Sequence, residues 1–314
     1  MLPTNYKLWI KENWYSFFTA TLKNISQVML IENAISGLII LLAITIFSYD
    51  LGAVALLSSL ISIIVGKIGG VEDKIISQGL FGYNSVLTGM ALTIFLTGPY
   101  NWIIALISAA LAAVLTAAMM HIMKRTEIPV LTFPFIILTW LMLLASYRLK
   151  VFHLTSNLRP QDLSHWKLEI SGKIDWGEGV FNGFAQIFFI HGFLSGILII
   201  IAVCLAGWKL GLYAIVGNAC ALLISYTLGG EHNLIYLGLY GYNAILTMLA
   251  VSVVFKTVPN RFTLFTGIVA VCLTVVFTGS IDTWLLPYGL PTLTMPFVLS
   301  TWIFLGARKI LPNL

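Results

Sequence analysis

The polar side chains that could do chemistry inside this chain are neutral, and they come in pairs. Gln27 and Gln186, Asn84 and Asn243, and Thr88 and Thr247 recur 159 residues apart, and Thr132 and Thr294 recur 162 apart. They offer amide oxygens, hydroxyls and, around prolines, backbone carbonyls. The aromatic pair Tyr83/Tyr242 stands beside Asn84/Asn243. The sequence shows no His/Cys cluster with metal spacing, no glycine-rich phosphate loop and no nucleophile elbow. No metal, cofactor or enzymatic reaction is therefore expected. Glu32 falls opposite His191, so there is no symmetric charge pair, and nothing resembles the Asp/Glu chain of a proton or sodium relay. A path lined this way suits a small, uncharged, hydrogen-bonding solute.

Each pair also has a structural reading. Thr88 and Thr247 can bond a carbonyl one helical turn back. Asn84 and Asn243 follow a Gly-aromatic pair, where asparagine can cap an orphan helix end. Gln27 and Gln186 either bridge helices or line a pathway. Thr132 and Thr294 stand two residues before a proline, in VLTFPF and TLTMPF. Proline removes a donor and disturbs the preceding turn, freeing carbonyl oxygens to face a pathway. These two threonines are the functional candidates.

The elements that must position these groups are membrane helices. Of the 314 residues 59% are hydrophobic and only 9% charged, against about 25% charged in a typical soluble domain. Ile35–Phe47, Trp102–Met120, Leu194–Ala206 and Leu264–Thr278 contain no charged side chain. With their flanks these blocks approach the roughly 17–25 residues that cross a bilayer. The fold class is an all-α polytopic membrane protein, with the lipid bilayer as its surroundings. The Trp/Tyr-rich start, residues 1–24, reads as an interfacial segment rather than a signal peptide. Cys204, Cys220 and Cys272 lie in apolar runs without paired spacing and read as small buried hydrophobes. The net charge of +5 would suggest nucleic acid in a soluble protein. Here most basic residues flank apolar spans, so no nucleic-acid partner is expected.

The chain is a duplication. ISQVMLIENAISGLIILLAI (25–44) aligns with FAQIFFIHGFLSGILIIIAV (184–203), keeping the glutamine and a Ser-Gly pair. GLFGYNSVLTGMAL (79–92) matches GLYGYNAILTMLAV (238–251) at 8 of 14 positions. EIPVLTFPFIILTWLML (127–143) matches GLPTLTMPFVLSTWIFL (289–305) at 8 of 17. The organisation is an N-terminal interfacial segment (1–24), a first repeat (25–147), a polar central loop (148–182) and a second repeat (183–314). Each repeat holds about five apolar segments: 27–47, 51–66, 80–97, 102–123 and 128–147, then 184–204, 210–228, 236–254, 262–280 and 291–307. Several are short or interrupted by Gly and Pro, which suggests half-spanning helices.

An odd number of crossings per repeat inverts the second relative to the first, and charge tests that. With the N-terminus cytoplasmic, the inner face receives twelve of the seventeen basic residues, from Lys7 to Lys309. The outer connections around Asp50, Pro99, Glu231 and Asp282 hold none, and the other five lie in the central loop, expected outside. The Lys/Arg bias that sets orientation therefore fits inverted repeats with both termini cytoplasmic in a multi-pass cell-membrane protein. Inverted repeats place their substrate site at the repeat interface near the midplane, using broken helices.

The doubled pattern Q-[VI]-x-[LF]…SG, GL[FY]GYN-x-x-L and LT-x-PF-x-x-x-TW resembles the urea transporter family of bacteria and vertebrates. The resemblance covers nearly all of the chain except the N-terminal segment and central loop. It implies ten transmembrane helices with two tilted half-membrane helices, a homotrimer, and one pore per subunit carrying urea passively. By position, Gln27 and Gln186 match groups that contact urea at the two pore mouths, and Thr132 and Thr294 match a pair of hydroxyls at the narrow middle. Leu30, Tyr83 and Leu87, with Phe189, Tyr242 and Leu246, match flat apolar walls. The chain departs from the expected pattern in Leu30 where an aromatic is expected, in tyrosines for phenylalanines, and in His191 opposite Glu32. Urea is planar, with four N–H donors, so apolar walls edged by acceptor oxygens suit it. The rival reading is an ion-coupled transporter of a small neutral polar solute, with Glu32 or His191 titrating.

Overall fold

A computed structural model describes residues 14–156, 158–168, 170, 175–256 and 260–312. Most of the segment expected to be interfacial, residues 1–13, lies outside the described residues. In the first repeat the helices are α1 (Trp14–Ser26), α2 (Ala34–Phe47), α3 (Tyr49–Ile68), α4 (Asp73–Ser77), α5 (Tyr83–Phe95), α6 (Asn101–Met123) and α7 (Phe133–Ala145). The second repeats them as α8 (Trp176–Ala185), α9 (Phe193–Ala206), α10 (Trp208–Thr227), α11 (His232–Tyr236), α12 (Gly241–Leu249), α13 (Thr263–Leu285) and α14 (Met295–Ala307). A two-residue pairing, β1 (Leu96–Thr97) with β2 (His153–Leu154), ties the central segment to the end of α5.

The ten apolar segments expected from sequence sort into three kinds. α3, α6, α10 and α13 belong to helices long and apolar enough to cross a bilayer. The segments 27–47 and 184–204 each straddle the break of a bent pair, holding the end of its first arm and most or all of its second. Trp14–Met29 meets Ala34–Phe47 at 76°, and Trp176–Phe188 meets Phe193–Ala206 at 73°. The remaining four are short: α5, α7 and α14 have 13 residues each and α12 has 9, extended by a π-helical turn, Ala250–Val254. At about 1.5 Å per residue, 13 residues reach roughly 20 Å, short of the roughly 30 Å hydrocarbon core.

Two expected boundaries therefore cut through helices. The limit at residue 24 runs through α1, whose residues Ala20–Leu22 and Asn24–Ser26 are buried. The limit at 182 runs through α8, which starts at Trp176. The sequence WGEGVFNGFA of α8 reads as polar loop because its three glycines and Asn182 have poor helix propensity and Glu178 is charged. Its buried side, Gly179 and Asn182–Ala185, is held by tertiary packing.

Glycines make the close packing within each repeat. A Cβ on Gly37 would lie 2.0 Å from the Leu22 carbonyl oxygen, and one on Gly196 would lie 2.3 Å from that of Phe181. Each Ser-Gly pair thus lets the two arms of a bent pair touch backbone to backbone, as small residues do in membrane interfaces. Ser36 crosses between repeats, donating to the Ala202 carbonyl at 2.7 Å.

Candidate functional site

The site is built where helices stop. α1 and α8 each end in a tight turn, Gln27–Met29 and Gln186–Phe188. Both turns finish on a left-handed residue, Leu30 with φ 61° and Phe189 with φ 58°. The loops before α7 and α14 do the same at Leu131 (φ 52°) and Leu293 (φ 51°). Five non-glycine residues have positive φ among the described residues. Four of them form two repeat-related pairs, and all four line the cavities described below. Such a conformation costs an L-residue roughly 1–2 kcal/mol. Backbone strain of this kind clusters at active sites and ligand clamps, and here it is duplicated at matched positions.

Two cavities open at these breaks. The first vestibule, about 540 Å³, is lined by Gln27, Leu30, Glu32, Tyr83, Leu131, Lys124 and Glu127, among others. The second, about 250 Å³, is lined by Gln186, Phe189, Tyr242, Leu293, Tyr240, Asp282 and Thr292, among others. Gln27, Leu30 and Tyr83 therefore line the first cavity, and Gln186, Phe189 and Tyr242 the second. Phe189 packs edge-on against Phe95 and Phe135, with ring centroids 5.8 and 6.1 Å apart. Leu87 and Leu246 are wholly buried and line neither cavity.

Thr132 and Thr294 each follow a vestibule-lining residue, Leu131 in one cavity and Leu293 in the other. Their hydroxyls share a hydrogen bond of 2.7 Å, and both residues are buried. Each is the N-cap of a short helix, α7 or α14, with proline in the first turn. The proline therefore starts a helix here, where its missing N–H costs nothing, rather than breaking one as the sequence suggested. Two helix N-termini meet at this neck, each carrying roughly half a positive elementary charge.

The doubled tyrosine and asparagine hold the neck in register. Tyr83 Oη donates to the Leu131 carbonyl at 2.7 Å and Tyr242 Oη to that of Leu293 at 2.5 Å. Asn84 and Asn243 donate to the same two oxygens at 3.3 and 3.1 Å. The expected capping role is met by Asn243 at a distance and not by Asn84, whose Oδ1 is buried without a partner. Asn243 Oδ1 accepts from the N–H of Phe297, in the first turn of α14, at 3.2 Å. The carbonyls expected to face a pathway are here occupied by the tyrosines. Thr247 bonds one turn back, to the Asn243 carbonyl at 3.0 Å.

Several of these groups were not singled out from the sequence. Trp140 Nε1 donates to the Pro291 carbonyl at 2.9 Å, and Trp302 Nε1 to that of Pro129 at 2.8 Å. Each repeat's tryptophan thus brackets the other repeat's loop; the doubled Thr-Trp of the third block was the available signal. Trp302→Phe is expected to leave the Pro129 carbonyl without this donor and to cost about 1 kcal/mol. A thermal-unfolding comparison of purified Trp302→Phe, Trp140→Phe and wild type reads this. Unchanged transitions in both variants would show that the bracket contributes nothing.

The charged residues of the ion-coupled reading are both exposed. Glu32, at the rim of the first vestibule, pairs with Lys23 at 2.8 Å. His191 is exposed and packs edge-on against Phe47 at 4.7 Å. Gln27 Nε2 donates to the Gln78 carbonyl at 2.9 Å.

Duplicated short helices, two broken spans and two cavities lined by repeat-related residues suit a polytopic membrane protein of the transporter class. The family model described as urea transporter matches residues 18–309, and the chain belongs to the urea transporter family. It is 24% identical over 321 residues to urea transporter 1 of Ovis aries, covering 98% of this chain and 81% of the relative. Urea transporter 1 of Mus musculus is 23% identical over 320 residues with the same coverage.

Proposed function

We propose that the chain conducts urea down its gradient by a channel-like route from one vestibule to the other. Gln27, Leu30 and Tyr83 form one mouth, Thr132 and Thr294 the neck, and Gln186, Phe189 and Tyr242 the other mouth, with Leu87 and Leu246 behind the walls. The observation that carries this reading is the buried Thr132–Thr294 hydroxyl pair, flanked by Leu131 and Leu293 of two cavities that share repeat-related glutamines and tyrosines. A hydroxyl has two acceptor lone pairs, so each threonine can receive an N–H of a passing planar amide. Water and ions lose hydration at the neck without equal compensation, and the converging helix N-termini oppose cations in particular. Binding stays weak enough for release, as conduction requires.

Several parts of this reading extend beyond family membership. The protein acts as a transporter and not as an enzyme, needs no cofactor, and sits in the cell membrane as a homotrimer with both termini cytoplasmic. Contacts of the central segment support that sidedness. The Gln161 N–H donates to the Leu286 carbonyl at 3.1 Å, and Tyr147 Oη to that of Tyr288 at 2.8 Å. Those contacts hold Tyr147 and Gln161 against the Leu286–Tyr288 turn, between Asp282 and Pro291 of the second vestibule, whereas Lys124 lines the first vestibule and Lys309 pairs with Glu127 there.

Stopped-flow urea permeability in proteoliposomes tests the function, with thiourea and formamide as comparators. Urea flux above the lipid background, unchanged by imposed proton or sodium gradients, is expected. Flux that follows either gradient would favour the ion-coupled alternative. Light scattering of the purified protein, corrected for detergent, tests the trimer.

A further inference from the structure

The duplication supplies an internal comparison of the two mouths. Aligned repeat on repeat, Asp282 stands where the first repeat has Met120, Thr292 where it has Val130, and Tyr240 where it has Phe81. All three polar substitutions line the second vestibule beside Gln186. Asp282 Oδ1 accepts the Thr292 hydroxyl at 2.9 Å. Among the described residues no ion pair includes Asp282, and its other carboxylate oxygen has no hydrogen-bond partner.

The first vestibule is arranged differently. Its two carboxylates, Glu32 and Glu127, are paired with Lys23 at 2.8 Å and Lys309 at 3.2 Å, and Lys124 also lines the cavity. In the second vestibule Asp282 is the one formal charge among the lining residues. One mouth thus has its carboxylates matched, while the other keeps an uncompensated carboxylate among the rings of Phe189, Tyr240 and Tyr242.

We infer that the second vestibule is a binding site for a planar, N–H-bearing organic cation of the guanidinium class, held by Asp282, and that its occupancy blocks the pore. A guanidinium edge donates two parallel N–H bonds to a carboxylate, a charge-assisted pairing roughly twice as strong per bond as a neutral one. Its flat faces stack on aromatic rings. The cation enters the mouth because it has the planar shape and N–H donors of a small amide. It stops there because the neck supplies neutral hydroxyls backed by two helix N-termini, which oppose positive charge. The blocking part of this inference rests on the proposed urea conduction; the binding part does not.

Both parts are measured on the full-length protein. Equilibrium dialysis of radiolabelled guanidinium against purified protein, at constant ionic strength, reads binding. Asp282→Asn is expected to weaken it by about tenfold or more, the scale of a charge-assisted pair. Glu127→Gln, which removes a carboxylate of the first vestibule and leaves Asp282 in place, is expected to retain it. Equal binding by wild type and Asp282→Asn overturns the site, as does loss of binding in folded Glu127→Gln. In proteoliposomes, guanidinium on both sides should inhibit wild-type urea flux, whereas tetramethylammonium, which has no N–H donors, should not. Inhibition is normalised to each variant's own uninhibited flux, and Asp282→Asn should shift the half-inhibitory concentration upward by about tenfold. Urea flux indifferent to guanidinium would overturn the block, while absent wild-type urea flux would overturn the conduction reading and leave dialysis to decide binding.

Discussion

Replacing both neck hydroxyls, Thr132→Val with Thr294→Val, is expected to lower urea flux by about tenfold or more while leaving a folded protein. Valine matches threonine in shape, so the buried neck keeps its volume. What is lost is the hydroxyl pair at 2.7 Å and with it the acceptors available to a passing N–H. A polar group buried without a partner costs roughly 1–3 kcal/mol, which in a barrier corresponds to about five- to 150-fold in rate. The single variants are informative as well. Thr132→Val alone leaves the Thr294 hydroxyl without its mate, so the two effects should not add, as expected of residues in direct contact. Stopped-flow permeability, normalised to the amount of reconstituted protein, makes the measurement. Wild-type flux in the double variant would remove these residues from the conduction path.

The second large effect concerns the glycine that opens the second hexapeptide, GLYGYN. Gly238 has φ +78°, and a Cβ there would lie 2.4 Å from the backbone nitrogen of Gly183 in α8. Gly238→Ala must therefore bear left-handed strain of roughly 1–2 kcal/mol and a backbone collision of roughly 1–3 kcal/mol. A total loss of about 3 kcal/mol is expected. Gly70→Ala separates the two contributions, because Gly70 has φ +75° with nothing within 4 Å of a built Cβ. It should suffer the strain alone. Thermal unfolding of the purified variants should rank wild type above Gly70→Ala above Gly238→Ala. Equal losses in the two alanine variants would show that contact with α8 is not what fixes Gly238. Gly79, its repeat mate, has φ +77° and meets the Lys23 backbone in the same way, so Gly79→Ala should behave like Gly238→Ala.

Much of the architecture was legible along the chain because hydrophobic burial in lipid is written in composition and length. The segments expected at 51–66, 102–123 and 210–228 differ from α3, α6 and α10 by at most two residues at either end. Helix breaks were harder to read. Nothing in QVMLIEN or QIFFIHG contains glycine or proline ahead of the turn, yet Leu30 and Phe189 adopt a left-handed conformation. That conformation is favourable only with the surrounding packing in place, which a local reading does not contain. The polar composition of α8 misled in the opposite direction, since its helix is sustained by buried contacts rather than by propensity. For the site, residue types and pairing identified the glutamines, tyrosines and threonines, because a polar residue repeated inside an apolar run is costly unless it serves something. Along the sequence Asp282 is only part of an outer connection; the cavity sets it beside Gln186, and the other repeat has Met120 in its position.

The sequence by itself determined that this is a duplicated helical membrane protein whose paired polar groups are neutral, since duplication, hydropathy and side-chain chemistry are properties of the linear chain. Only the tertiary structure decided where the chain breaks, that Thr132 and Thr294 meet across 162 residues at 2.7 Å, and that each repeat's tryptophan holds the other repeat's loop. The physical reason is that these are contacts between two halves whose separation in sequence carries no distance. They exist only once the short helices of both repeats have been driven to the same place.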